Sequence, residues 1–431
     1  MGEVAVAILR ARRVLPMARG PIENGAVAVA GGVIVGVGRW PEVSARFPGA
    51  EVTDLGDSAL LPGLINAHCH LDYTDMAGQI APTRSFTDWI KSITTLKAAW
   101  SYTEFAESWI NGARMLLQSG VTTVGDIEAS PELLPDVWEA TGLRVYSFLE
   151  MTGIRSRRAP RDILQEAVTK IDSLPAGRCA AGLSPHAPYS TLPELLQLSA
   201  RVAAERDWRV TCHVAESAQE FEMFASGGGE LHEWLRRNER DMSDCGHGSP
   251  VEHLEQNGLL SERLLAIHVN YLDARDADLL ARRGVNVVHC PRSHAYFKHR
   301  AFPLGELTRA GVNVCLGTDS LVTVQKEWKQ PLILDLFAEL RTLAAAMPAV
   351  TPEELLKMAT LNGARALGYA GRLGEITEGA FADLIVAPLP TGARDTCEAV
   401  VHHPGPVPGV MIDGLWVVQP TGKLSSIGAE N

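Results

Sequence analysis

Two histidines one residue apart, His68 and His70, are the first residues here able to do chemistry together. On a β-strand residues i and i+2 point to the same face, so both imidazoles of His68-Cys69-His70 can reach one ion. The same spacing also suits an ordinary pair of surface or core histidines. His213 ends the apolar run Val210-Thr-Cys and is followed by Ala215-Glu216, and His268 ends Leu264-Leu-Ala-Ile in the same way. Asp319 closes the run from Val312, where a carboxylate is costly unless it is paired or metal-bound. His213 alone reads equally well as a hydrogen-bonded core histidine. Their recurrence at the ends of separate apolar runs reads as a metal site that activates water for hydrolysis.

The runs themselves say what must position those groups. Eight apolar, strand-like segments follow one another: Leu60 to His70, Gly120 to Asp126, Leu143 to Glu150, Ala180 to His186, Arg209 to His213, Leu264 to His268, Val285 to His289 and Val312 to Asp319. Room for a helix separates them, and helical patterns such as Leu192 to Glu205 and Thr351 to Leu367 lie between or after them. Near-continuous apolar strands alternating with helices specify a parallel α/β barrel of the (β/α)₈ type, whose catalytic groups sit at the C-terminal strand ends. The polar residues fall there. At the chain ends the style changes to short strands. Val27-Ala-Val-Ala, Gly31-Gly32 and Val33-Ile-Val-Gly-Val make a hairpin, and Ala382 to Ala387 and Gly409 to Val418 repeat the pattern. The expected organisation is residues 60–370 as the barrel, with 1–59 and 371–431 as two parts of one small β-sandwich.

Composition narrows the partners. The 431 residues are 46% hydrophobic and 21% charged, which is ordinary for a globular protein, and the net charge of −12 argues against non-specific nucleic-acid binding. No apolar run reaches the ~18 residues of a membrane helix. The start, MGEVAVAILRARR, runs from apolar to basic, the reverse of a secretory signal, and Val6 breaks the myristoylation pattern. The seven cysteines contain no C-x-x-C pair, and Cys69, Cys179, Cys212, Cys290 and Cys315 lie in or beside apolar runs. Such cysteines suit a reducing, cytoplasmic setting.

The ordered set Leu61-Pro-Gly-Leu-Ile-Asn-Ala-His-Cys-His70, Ser184-Pro-His-Ala-Pro-Tyr189, His213-Val-Ala-Glu216, His268, Leu316-Gly-Thr-Asp-Ser320 and Gly374 to Val386 resembles the amidohydrolase superfamily, in its cytosine deaminase and chlorohydrolase-like branch. The resemblance covers nearly the whole chain. It implies one divalent ion held by His68, His70, His213 and Asp319. Three imidazoles and a carboxylate favour Zn²⁺, and the same set would tolerate Fe²⁺. The fourth strand ends in Ser-Pro-His186 and offers no lysine for a bridging ligand, so one ion is expected rather than two; Glu150 is the one exception to weigh. In the implied mechanism the ion lowers the pKa of a water, Asp319 accepts its proton, and Glu216 carries a proton to the substrate ring and then to the leaving amine. His268 would hydrogen-bond the attacking oxygen and the tetrahedral centre, or touch the metal. His186 would contact substrate, with capping of the Pro185/Pro188 turn as the alternative.

Two further segments are expected to shape the pocket. Leu71-Asp-Tyr-Thr-Asp-Met76 lies on the first barrel loop, and Phe86 and Trp89 in Ser85-Phe-Thr-Asp-Trp-Ile90 share a helix face, for substrate or for packing. Cys290-Pro-Arg-Ser-His294 places Arg292 and His294 near the mouth, where Arg292 would bind an anionic or carbonyl group or steady a loop. The leading function is deamination of an exocyclic amine on a purine- or nucleoside-like heterocycle. The stretches from Leu71 and Ser85 most resemble aminodeoxyfutalosine deaminases of menaquinone synthesis. Related C–N or C–halogen hydrolases, acting on guanine, S-adenosylhomocysteine or triazine-like compounds, are the rival; a non-catalytic barrel is the remote alternative, weakened by the full ligand set. The expected partner is a small heterocycle, with no nucleic acid and no membrane, in a monomer or a homodimer. The H-x-E…P-C-x-x-C signature, the G-x-S-x-G elbow and the P-loop are all missing from the sequence.

Overall fold

The computed structural model describes residues 5–154, 158–326 and 331–420. The reading of the extreme N-terminus rests partly on residues 1–4, outside the described set. The N-terminal part forms β1 (Ala7–Val14), β2 (Ile22–Ala30), β3 (Val33–Arg39), β4 (Glu51–Asp54) and β5 (Ser58–Pro62). β2 and β3 make the hairpin expected around Gly31-Gly32.

Eight parallel strands follow in chain order: β6 (Leu64–Cys69), β7 (Val121–Glu128), β8 (Arg144–Met151), β9 (Ala180–Pro185), β10 (Val210–Val214), β11 (Leu264–His268), β12 (Asn286–His289) and β13 (Asn313–Leu316). They are the eight runs read from the sequence, wound into the expected barrel. The ring closes where Thr318 N and Asp319 N donate to His68 O at 3.0 and 3.1 Å, beside a parallel bridge between Cys69 and Asp319. A Cβ on Gly317 would lie 2.7 Å from His68 O, so the first and last strands can meet this closely only at a glycine. Inside the ring, Ile65, Ile127, Phe148, Ile267 and Val288 pack with Ala364 and Leu367 as one apolar cluster.

Two segments differ in detail from the sequence reading. The run Leu60 to His70 is divided: Ser58–Pro62 pairs with strands of the terminal sheet, and the barrel begins at Leu64. Gly63 makes the crossing, because a Cβ there would fall 2.0 Å from Thr122 Oγ1. The helical pattern Thr351 to Leu367 is two helices, Pro352–Met358 and Leu361–Ala366. The break at Ala359 and Thr360 frees Ala359 O to accept from Ile65 N at 2.8 Å, and the second helix turns to pack on the barrel interior.

β14 (Leu384–Pro388), β15 (Gly409–Ile412) and β16 (Leu415–Val418) return to the first sheet, in the order β16-β15-β14-β5-β1-β2-β3 with β4 alongside β1. Both chain ends thus build one mixed sheet flanking the barrel. Arg144, at the N-terminal end of β8, joins the two parts through Asp383 at 3.1 Å and Asp413 at 2.5 Å. All seven cysteines are free. No helix among the described residues is long and apolar enough to cross a membrane.

Candidate active site

The C-terminal strand ends bring His68, His70, His213, His268 and Asp319 into one buried cluster. Ligand-capable atoms of His68, His70 and His213 lie within 4.8 Å of one another, and so do those of His68, His268 and Asp319. Asp319 Oδ1 is 3.4 Å from His68 Nε2 and 3.7 Å from His70 Nε2. The backbone is bent to achieve this. Ala215, His268, Val269 and Asp319 all have positive φ, at 51°, 76°, 50° and 55°. Non-glycine residues hold such angles only where surrounding contacts over-determine them, and such positions gather at functional sites.

The donor set tests well against a divalent cation. Both ring nitrogens of His68, Nδ1 of His70 and Nε2 of His268 are buried with no hydrogen-bond partner. Native interiors leave few such groups unsatisfied. Burial, with its neighbouring imidazoles, pushes His213 down to about 3, and burial also lowers His70 and His268, so these rings are neutral and keep a lone pair for a metal. His213 Nδ1 donates to His186 O at 2.8 Å, which directs its Nε2 toward the cluster. Asp319 is oriented in turn by Ser293 Oγ at 2.6 Å, Ser320 N at 2.7 Å and Thr323 Oγ1 at 3.3 Å.

Two carboxyls at this cluster are driven apart. For Glu216, burial, reinforced by Asp319 and Glu220, pushes the pKa well up and favours the protonated acid. For Asp319, burial acts the same way, but the surrounding imidazoles, His68 first and then His268 and His70, outweigh it and hold its pKa well below the usual carboxylate value. Glu216 Oε1 lies 3.6 Å from His268 Nε2. The cluster thus holds one carboxyl favoured as the acid and one favoured as the carboxylate.

A cavity of about 420 Å³ opens over this cluster. His70, His213, Glu216, His268 and Asp319 form its floor, and Tyr73, Trp89, Ile93, Tyr189 and Trp234 give it aromatic and apolar walls. His186 lines it as well, with Nδ1 2.6 Å from Ser190 Oγ. Trp89 stacks on Phe86 at 5.9 Å, on the helix Phe86–Lys97 capped by Ser85. Arg292 does not line the cavity. Its guanidinium bonds Ile333 O at 3.0 Å and lies 3.8 Å from the fully buried Glu339, which also accepts from Arg292 N at 2.8 Å. His294 turns to Asn270 Oδ1 at 3.0 Å.

Glu150 and Lys97 add a polar wall that sequence reasoning did not assemble. Glu150 Oε2 is 3.6 Å from Lys97 Nζ and its Oε1 is 3.8 Å from His186 Nε2, and all three residues line the cavity. Burial opposes ionisation of Glu150, but Lys97 and His186 outweigh it and lower its pKa. Lys97 also stands 4.5 Å over the Tyr73 ring. The available signal was periodicity: Phe86, Trp89, Ile93 and Lys97 fall on one helix face, and a lysine continuing an apolar stripe has a partner to find.

Comparison with known proteins adds the following. The profile described as the amidohydrolase family matches residues 59–417. A curated 5-methylthioadenosine/S-adenosylhomocysteine deaminase from Syntrophobacter fumaroxidans is 33% identical over 391 residues, covering 84% of this chain and 80% of that protein. The crystal structure of an adenosine deaminase from Xanthomonas campestris with bound zinc superposes with a TM-score of 0.84 at 27% identity, covering 96% of this chain and 93% of that one. The fold is also that of Helicobacter pylori aminofutalosine deaminase in complex with methylthio-coformycin, at a TM-score of 0.83 and 22% identity, covering 96% of this chain and 100% of that one.

Proposed function

The chain belongs to the amidohydrolase family, and from that premise we propose that it is a metal-dependent deaminase replacing an exocyclic amine of a purine- or nucleoside-like heterocycle with oxygen. One observation carries this reading: Glu216 Oε1, on a carboxyl that burial favours as the acid, stands 3.6 Å from His268 in the cluster that also holds the ionised Asp319. A leaving amine must be protonated before it departs, whereas a halide leaves unassisted. The name of the Syntrophobacter relative points the same way.

His68, His70, His213 and Asp319 would hold one divalent ion, and their nitrogen-rich donor set favours zinc over iron. When bound, that ion supplies the Lewis acidity that brings water toward ionisation at neutral pH. Asp319 takes the water's proton. Glu216 gives its own proton to a ring nitrogen, takes up the hydroxyl proton of the tetrahedral carbon and hands it to the departing amine; the water proton held by Asp319 then restores the acid form of Glu216. His268 hydrogen-bonds the attacking oxygen and steadies the tetrahedral carbon. Trp89 supports the heterocycle from the apolar wall, and His186 contacts it from the side that leads to Glu150 and Lys97. Seven free cysteines suit a cytoplasmic enzyme.

The test is a panel of aminated purines, pyrimidines and nucleosides, led by methylthioadenosine, with matched chloro compounds. Ammonia should appear in one-to-one ratio with the oxygenated ring, and the amine should be preferred. A preference for the chloro compound, or no ammonia from any member, overturns the deaminase assignment and leaves the metal cluster in place.

A further inference from the structure

The turn that carries Glu216 is held by the turn after the next strand. Val269 N donates to Val214 O at 3.1 Å, and Asn270 N and Tyr271 N donate to Ala215 O at 3.0 and 3.2 Å. The Asn270 side chain completes the set, with Nδ2 donating to Glu216 O at 2.9 Å. From the other side, Glu220 accepts from Ala215 N and Glu216 N at 3.0 and 2.8 Å. The backbone on which Asn270 sits is strained, since His268 and the β-branched Val269 before it both have positive φ. Asn270 is 1% exposed and does not line the cavity.

The direction of its carboxamide is fixed. Oδ1 can only accept, so His294 Nδ1, 3.0 Å away, is the donor. Turned over, the amide would set its oxygen against Glu216 O. One side chain, two residues beyond His268 at the end of β11, therefore ties the segment after β10 that bears Glu216 to the segment after β12 that bears His294. We infer that Asn270 is a positioning residue for the reaction, holding Glu216 in register with His268 while His294 orients its amide; this rests on Glu216 as the proton carrier. Displacing a catalytic group by ~1 Å can cost about 10²-fold in rate, and a rotation of the Glu216 peptide moves its side chain on that scale.

The test is a double-mutant cycle on the full, metal-loaded chain. Ammonia release is followed from methylthioadenosine, or from whichever panel member the wild type turns over. Asn270→Asp keeps the shape and still accepts from His294, but it puts an oxygen against Glu216 O. Its kcat should fall by ~10²-fold with KM and metal content little changed. In a Glu216→Gln background the same substitution should cost almost nothing more, because the two residues act as a unit. Equal losses in both backgrounds, or a lowered Tm with wild-type kcat, overturn the role of Asn270. Should Asn270→Asp fail to fold, His294→Phe removes the orienting donor while keeping an aromatic ring, and runs through the same cycle. It should give a smaller kcat loss that also vanishes with Glu216→Gln, and unchanged kcat overturns the inference. Near-normal turnover in Glu216→Gln alone strikes the proton-carrier reading itself, and Asn270's role with it.

Discussion

Glu216 and Asp319 are both carboxyls, both about 5% exposed and both at the same cluster, yet their surroundings set opposite protonation states. Replacing Glu216 with Gln keeps its size and most of its hydrogen bonding but removes the proton. Turnover should drop by ~10² or more while elemental analysis shows an unchanged ion content. His70→Ala acts on the other half of the machinery. It should abolish both ion binding and activity while circular dichroism stays barrel-like, since His70 follows its strand at the catalytic end rather than filling the apolar interior. At this scale the sequence was most legible where a polar group ended an apolar run, as His213 and His268 do, because burial of such a group demands a reason. It was least legible where two residues far apart in sequence meet, as Lys97 and Glu150 do. The placement of Arg292 shows the same limit, because its partner, Glu339, comes from a distant helix.

At the scale of elements, the barrel was readable because each parallel strand is buried on both faces and so appears as an unbroken apolar run. Boundaries were harder. Nothing in the apolar character of Leu60 to His70 distinguishes the part that pairs with β14 from the part that pairs with β7, and only Pro62-Gly63 hints at the crossing. The seam between β6 and β13 is the element-level feature with the sharpest consequence. Gly317→Ala would place a methyl against His68 O, in a contact of 2.7 Å that backbone on both sides resists. Overpacking of this kind costs about 1–3 kcal/mol. Thermal denaturation should show that loss, and metal affinity should fall with it, because the displaced strands carry His68 and Asp319.

For the molecule as a whole, the barrel and the sheet made by the chain ends share a buried ionic link at the end opposite the site. Arg144 and Asp383 are both nearly inaccessible, with side-chain exposures of 6% and 1%. Arg144→Ala would leave Asp383 buried without its partner, a change that costs about 3–5 kcal/mol. Tm should fall clearly, whereas kcat measured well below Tm should match the wild type, since the catalytic cluster lies across the length of the strands. A fall in kcat at full folding would mean that the terminal sheet reaches the site through the barrel. The closing seam bears finally on how the protein is made. His68 leaves the ribosome on the first barrel strand and His70 directly after it, but Asp319 only after the last, so the nascent chain presents an incomplete grip for most of its synthesis. With the proposed ligand set, capture of the ion is therefore an event of the finished barrel. Protein synthesised with chelator present should fold empty and take up its metal when the ion is supplied afterwards.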